Sequence, residues 1–182
     1  MSLVSELPGI VDEVAAAPTN ADGVLLSEAE AGMRVQVLAS VPITAIRLGQ
    51  AGVSHAPRIR AGTGLNRVCD YLLLVEMGGH THAVLVELKK TWEPRAREQV
   101  RRSLPLLEYL RSACEVEREA RFDDDGIRVG YLVICENRRL NKQTTRPEPV
   151  EAVHSEDYKN ITVRTYIGTT ISLAILVGAR RD

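Results

Sequence analysis

The chain has 182 residues, 45% of them hydrophobic and 26% charged, with a formal net charge of −1. Those values suit one globular domain with a sizeable core, and argue against disorder and against a histone-like protein that coats nucleic acid, though not against a local basic patch. Three widely spaced cysteines (Cys69, Cys114, Cys135) form no CxxC pair, zinc spacing or disulfide framework, so they read as reduced thiols of a cytoplasmic protein.

Taken from the N-terminus, Val4 to Ala17 reads as a short helix ended by Pro18. The stretch before Arg34 carries no Lys or Arg, unlike a signal peptide. Ser27 followed by Glu30 is a capping-box pattern, and Leu26, Ala29, Met33, Val37 and Val41 recur at helical spacing. A helix is therefore expected over Ser27 to Ser40, although Gly32 and the Val35/Val37 alternation would also suit a strand. Ile43 to Leu48 reads as a strand, and Gln50 to Asn66, rich in Gly, as a loop with a short extended piece at Arg58-Ile59-Arg60.

Asp70 to Met77 and Thr81 to Lys89 form the clearest pair. They are strands joined at Gly78-Gly79, a preferred two-residue hairpin turn. Their middles are apolar on both faces, as in central strands covered on both sides. Pro94 suits a helix start, and Ala96, Val100, Leu104, Leu107 and Cys114 form an apolar stripe that Pro105 must kink or loosen. Asp123-Asp124-Asp125-Gly126 reads as a turn, Ile127 to Cys135 as a buried strand and Asn137 to Arg146 as a basic loop. Ile161 to Ile167 reads as a strand, and Ile171 to Val177 as a buried strand or short helix, too short to span a bilayer.

The hairpin dictates its own register. A two-residue turn at Gly78-Gly79 pairs Met77 with His80, and stepping outward on both strands brings Asp70 opposite Glu87. Directly opposed residues share a face, and Lys89, two residues on, points to that face as well. Only four of the 23 basic residues are lysines, and two of them, Lys89 and Lys90, stand together here. Two like charges across a strand pair destabilise a sheet unless a cation compensates, and Mg²⁺ or Mn²⁺ is commonly held by one or two carboxylates. An isolated Glu-x-Lys is most often an ordinary strand end, but the register and the flanking apolar strands favour a metal site.

Asp70, sixteen residues, then Glu87-Leu88-Lys89 resembles the signature of the PD-(D/E)XK nuclease superfamily. The order helix–strand–strand–strand–helix–strand is similar to that superfamily's core. The resemblance covers roughly residues 27–136, with 137–182 as a C-terminal extension of a single domain spanning 1–182. It implies a restriction-endonuclease-like α/β fold with a mixed central sheet flanked by helices. It also implies that Asp70 and Glu87 hold Mg²⁺ or Mn²⁺ with the Leu88 carbonyl, and that Lys89 assists the attacking water. Members often add a Glu from the first helix, for which Glu28 is the candidate; Glu30 has the cap as its alternative, and Glu13 lies on another helix. Cys69 stands where the motif has Pro. Gln99 is followed four residues later by Ser103, so the Gln-x-x-x-Tyr exonuclease subclass is not supported.

Arg95, Arg97, Arg101 and Arg102 open the following helix, and Arg138, Arg139, Lys142 and Arg146 lie in a stretch without acidic residues. They are candidates for contacting the phosphates of nucleic acid, DNA in the first instance; the competing reading is a solvated helix face and a polar loop. Trp92 reads first as a packing anchor, and His80 and His82 as exposed turn residues without a third metal ligand. The expected protein is a Mg²⁺-dependent deoxyribonuclease without a membrane segment, alone, as a homodimer or within a larger complex. Its rivals are a catalytically silent nuclease-like domain that binds nucleic acid or a partner protein, and a structural subunit.

Overall fold

Residues 2–11, 17, 19–20, 22–30, 32–49, 67–122, 126–137 and 153–178 are described by the computed structural model. The first half runs α1 (Leu3–Glu6), one turn of 3-10 helix (Leu7–Gly9), β1 (Thr19–Asn20), β2 (Gly23–Glu28), β3 (Met33–Leu38), β4 (Thr44–Arg47), β5 (Tyr71–Met77) and β6 (His80–Thr91). There follow α2 (Arg95–Arg102), α3 (Leu104–Glu117), β7 (Ile127–Asn137), β8 (Val153–Tyr158), β9 (Ile161–Ile167), β10 (Thr170–Ser172) and α4 (Leu173–Val177). The result is a mixed α/β arrangement of two mixed sheets. One has six strands in the order β4-β5-β6-β7-β9-β8, the other four in the order β1-β2-β3-β10.

The central hairpin forms as its sequence dictates. Gly78 and Gly79 both take positive φ (60° and 77°), which a tight primed turn requires and only glycine adopts cheaply. Met77 pairs with His80, and the ladder continues in the same register to Tyr71 opposite Val86. β6 then pairs in parallel with β7, and β7 with β9. A parallel pair needs a crossover, and α2 and α3 supply it between β6 and β7. Pro105 lies in the first turn of α3, so the predicted helix breaks at Ser103 into two.

Strand alternation divides the core. Tyr71, Leu73, Val75, Val84, Val86 and Leu88 pack against the second sheet, beside Val24, Leu26, Val35 and Val37. Leu72, Leu74, Ala83 and Leu85 face the helical layer, beside Leu3, Leu7, Ala96, Val100, Leu107 and Cys114. The six-stranded sheet is thus covered by α1, α2 and α3 on one face, and by the second sheet and α4 on the other. All three cysteines are buried, and none forms a disulfide with a described residue.

Several sequence expectations are corrected. Ser27 to Ser40 is not a helix but the end of β2, a turn and β3. Val24 and Leu26, then Met33, Val35 and Val37, are buried at period two, and Gly32 turns the chain at φ 61°. The Glu30 N–H, expected to meet a Ser27 cap, donates instead to the Glu28 carboxylate at 3.0 Å across that turn. Within the expected C-terminal extension, β8 and β9 complete the large sheet and β10 the small one. His82 is buried, not exposed. The expected loop over 50–66 with its extended piece, and most of the basic loop over 137–146, lie outside the described residues. Among the described residues no helix is long and apolar enough to cross a membrane.

Tyr71 ties the two sheets together beside Asp70. Its buried hydroxyl donates to Ser27 O at 2.7 Å and accepts from the Ser27 N–H at 3.0 Å and Arg47 Nη2 at 3.1 Å. Tyr71→Phe keeps the ring and strands these partners, so urea denaturation should show a loss of about 1–3 kcal/mol.

Candidate functional site

Asp70 stands one residue before the β5 ladder, where regular pairing has not yet begun. Its carbonyl accepts the N–H groups of Leu48 at 2.8 Å and Gly49 at 3.2 Å. Just before it, the Cys69 N–H donates to Ser103 Oγ at 2.7 Å, and that hydroxyl donates to Gln99 O at 2.8 Å. The segment is therefore clamped between the exit of β4 and the break separating α2 from α3. Gly49 is needed for closeness, since a Cβ there would lie 3.0 Å from Asp70 Oδ1.

The Asp70 carboxylate takes the place of a missing strand bond: Oδ2 accepts the Leu88 N–H at 2.7 Å. In a strand the N–H and C=O of one residue point to the same side. The Leu88 carbonyl consequently faces the edge where Asp70 sits and β5 has ended.

Glu87 follows the helix-facing parity of Ala83 and Leu85, and none of its side chain is exposed. Lys89 Nζ lies 2.6 Å from Glu87 Oε1 and 3.6 Å from Glu93 Oε1. This is a close charge pair, yet neither Glu87 oxygen has a hydrogen bond of good geometry from a described residue. Two buried carboxylates and one ammonium thus share a confined volume.

Their proton affinities follow. Burial pushes Asp70 up to about 7 against the Leu88 N–H, which pulls it down; Glu28 then raises it through its charge and a side-chain hydrogen-bonding contact. Burial, then the Asp70 charge, push Glu87 up to about 8, while Lys89 opposes them. Burial alone would lower Lys89, but the Glu87 carboxylate outweighs it and the net direction is upward. Burial also pushes the Cys69 thiol far up, so it is no nucleophile.

Asp70, Glu87, Lys89 and the Leu88 main chain therefore come together in the expected register. Glu28 also reaches the pair, but from β2 of the second sheet and not from a helix; the Tyr71–Ser27 contact brings that strand end here. Among the described residues, no three or more His, Cys, Asp or Glu side chains are already arranged to hold an ion. Glu87 Oε2, away from the Lys89 ammonium, and the adjoining Asp70 still fit a hard cation that keeps several waters, as Mg²⁺ does.

The basic residues divide. Arg95 is exposed and Arg97 lies 3.0 Å from Glu156, its guanidinium over the rings of Tyr158 (4.8 Å) and Trp92 (5.6 Å). Arg101 and Arg102 each contact Glu98 Oε1 at 3.0 Å, while Tyr158 Oη and Lys159 Nζ reach Glu98 Oε2 at 2.7 and 3.0 Å. These donors, Arg101 and Tyr158 foremost, hold the Glu98 carboxyl far below the usual range. Arg97 thus ties α2 to β8 through Glu156, Tyr158 and Lys159 join the β8–β9 hairpin to α2 through Glu98, and Arg101 and Arg102 pair with Glu98 within α2 itself. Arg138, Arg139, Lys142 and Arg146 lie outside the described residues. Trp92 packs against the helix-side core, as an anchor would. His80 Nε2 contacts Arg128 Nη2 at 2.8 Å at the opposite end of the strands.

Sequence reasoning did not single out Glu98, Tyr158, Lys159 or Arg67. The only signal was local, the Glu98-to-Arg101 and Glu98-to-Arg102 helical spacings. Comparison with family models, characterised proteins and solved structures finds no match for this chain.

The buried carboxyls give a pH dependence of definite sign. Folding holds protons on Asp70 and Glu87 that the unfolded chain releases near 3.8 and 4.5. The folded state therefore binds more protons between about pH 4 and about pH 8, and metal-free stability falls as pH rises through that window. Urea midpoints measured across the range should decline in the wild type and flatten in Asp70→Asn and Glu87→Gln.

Proposed function

We propose that the chain is a divalent-metal-dependent nuclease that hydrolyses phosphodiester bonds of DNA. The observation carrying this reading is the buried Asp70–Glu87 pair with Lys89 beside it, at the end of a hairpin whose strands are otherwise apolar. The succession β4, β5, β6, helical crossover, β7 supports it, because it resembles the core of restriction-endonuclease-like folds. Asp70, Glu87 and the Leu88 carbonyl would hold Mg²⁺ or Mn²⁺, with Glu28 adding negative charge. Such an ion supplies Lewis acidity, polarising a phosphoryl oxygen and lowering the pKa of a water. Lys89 would orient the attacking water and stabilise the charge that develops on phosphorus-bound oxygen as the leaving oxygen departs. Three buried cysteines outside any disulfide suit a reducing compartment such as the cytoplasm.

A second reading has its own support. Lys89 covers a fully buried Glu87, and the ammonium already compensates that carboxylate. A catalytically silent domain that binds nucleic acid or a partner protein would be content with this arrangement.

The test is cleavage of single-stranded, duplex and branched DNA and of RNA with Mg²⁺ or Mn²⁺, and its arrest by EDTA. Glu87→Ala should abolish both Mn²⁺ binding, read by calorimetry, and cleavage. Lys89→Ala should keep the metal and lose roughly 10²-fold in kcat. Lys89→Arg should recover only part, because a guanidinium is bulkier and does not shift its proton. Mn²⁺ binding without cleavage of any of the four substrates would establish the silent domain instead.

A further inference from the structure

An open pocket of about 420 Å³ adjoins the carboxylate site, lined by Arg67, Glu93, Arg95, Glu98, Gln99 and Arg102. It borders the site through Glu93, which also contacts Lys89. Residues 95, 99 and 102 recur at helical spacing along one face of α2, while Ala96 and Val100 turn inward to the core. Arg67 comes from the segment leading to Asp70. The pocket thus joins the first turns of α2 to the approach of the candidate metal-binding strand.

Its charge is unevenly committed. Glu98 is already met by Arg101, Arg102, Lys159 and the Tyr158 hydroxyl, so its negative charge is compensated from the side of β8 and β9. Arg67 and Arg95 are exposed and have no ion pair or hydrogen bond to any described residue. Two uncommitted guanidiniums therefore flank one concavity, with the Gln99 amide between them as a further donor. Planar five-donor forks of this kind match the oxygens of a phosphate, and a helix N-terminus favours an anion.

We propose that this pocket, through Arg67, Arg95 and Gln99, binds a phosphate group of the nucleic acid next to the bond being cut. The assignment rests on the nuclease reading for its substrate but not for its chemistry, which is recognition of a phosphate oxyanion. The phosphate could be internal to the strand or a terminal monoester, and the two are separable. Its function would be to set the register of the strand over Asp70 and Glu87, as backbone contacts do.

The experiment uses the full chain in EDTA, so that no cleavage occurs, and fluorescence anisotropy with three oligodeoxynucleotides of one sequence. One carries a 5′-phosphate, one a 3′-phosphate and one only hydroxyl ends. Arg67→Gln/Arg95→Gln should weaken binding by about tenfold or more, as loss of charge-assisted hydrogen bonds does. The control is Arg121→Gln/Arg128→Gln, which removes the same charge near Phe122 and Ile127, beside the Gly78-Gly79 turn. It should have little effect. A preference for one phosphorylated end that vanishes in Arg67→Gln/Arg95→Gln assigns the pocket to a terminal monoester; equal weakening on all three assigns it to an internal phosphate. Equal losses in the two double variants, or none in either, overturn the proposal. Should the wild type bind no oligonucleotide, calorimetry with inorganic phosphate decides, and a heat signal lost in Arg67→Gln/Arg95→Gln is required to sustain it. Cleavage assayed in parallel with Mg²⁺ separates the two ideas: binding lost in the pocket variant without cleavage by any protein spares the pocket and removes the nuclease, and the reverse pattern removes only the pocket.

Discussion

The contact between Asp70 Oδ2 and the Leu88 N–H joins the two strands of the central hairpin at the point where their ladder ends. It replaces a rung of the β5–β6 ladder by a carboxylate, and so holds a charge-bearing side chain where a sheet would otherwise continue. Everything near it is arranged around that substitution. The 48–49 main chain and the Ser103 hydroxyl hold the backbone at Asp70 and Cys69, and Glu87 faces Asp70 because the glycine turn that begins eight residues beyond Asp70 sets that register.

Burial makes the arrangement costly in a specific way. A carboxylate in a poorly hydrated place either takes up a proton or finds a cation. Lys89 serves Glu87 in the second manner, and the upward displacement of both acids reflects the first. The second sheet intensifies the effect by delivering Glu28, and it can do so because the Tyr71 hydroxyl holds β2 against the large sheet.

The site was more legible in the sequence than the fold around it. Asp70 opposite Glu87 followed from a glycine pair and a count, because hairpin register is a local property that the turn alone decides. The break between α2 and α3 was equally local, since Pro105 carries it. The second sheet was not legible: Leu26, Met33 and Val37 satisfy a helical repeat as readily as Val35 and Val37 satisfy a strand, and the deciding fact is burial against β5, which lies far along the chain. β8 gave no signal because Val153–Tyr158 has exposed and half-exposed residues without an apolar alternation. The contacts of α2 with the β8–β9 hairpin depend on residues some sixty positions apart, as in Arg97 with Glu156 and Tyr158 with Glu98.

β8 has a further consequence as the outermost strand of the large sheet, bonded among the described residues to β9 alone. An unprotected outer strand invites another chain to extend the sheet. This one reads Val-His-Ser-Glu-Asp-Tyr, carries two adjacent acids and places Glu156 against Arg97 of the layer behind. A second molecule aligning its own β8 there would bring four carboxylates into one narrow strip while drawing on an arginine already engaged. Growth of the sheet by self-addition is opposed at this boundary by charge, and the polar composition that hid the strand from sequence reading is also what keeps it terminal.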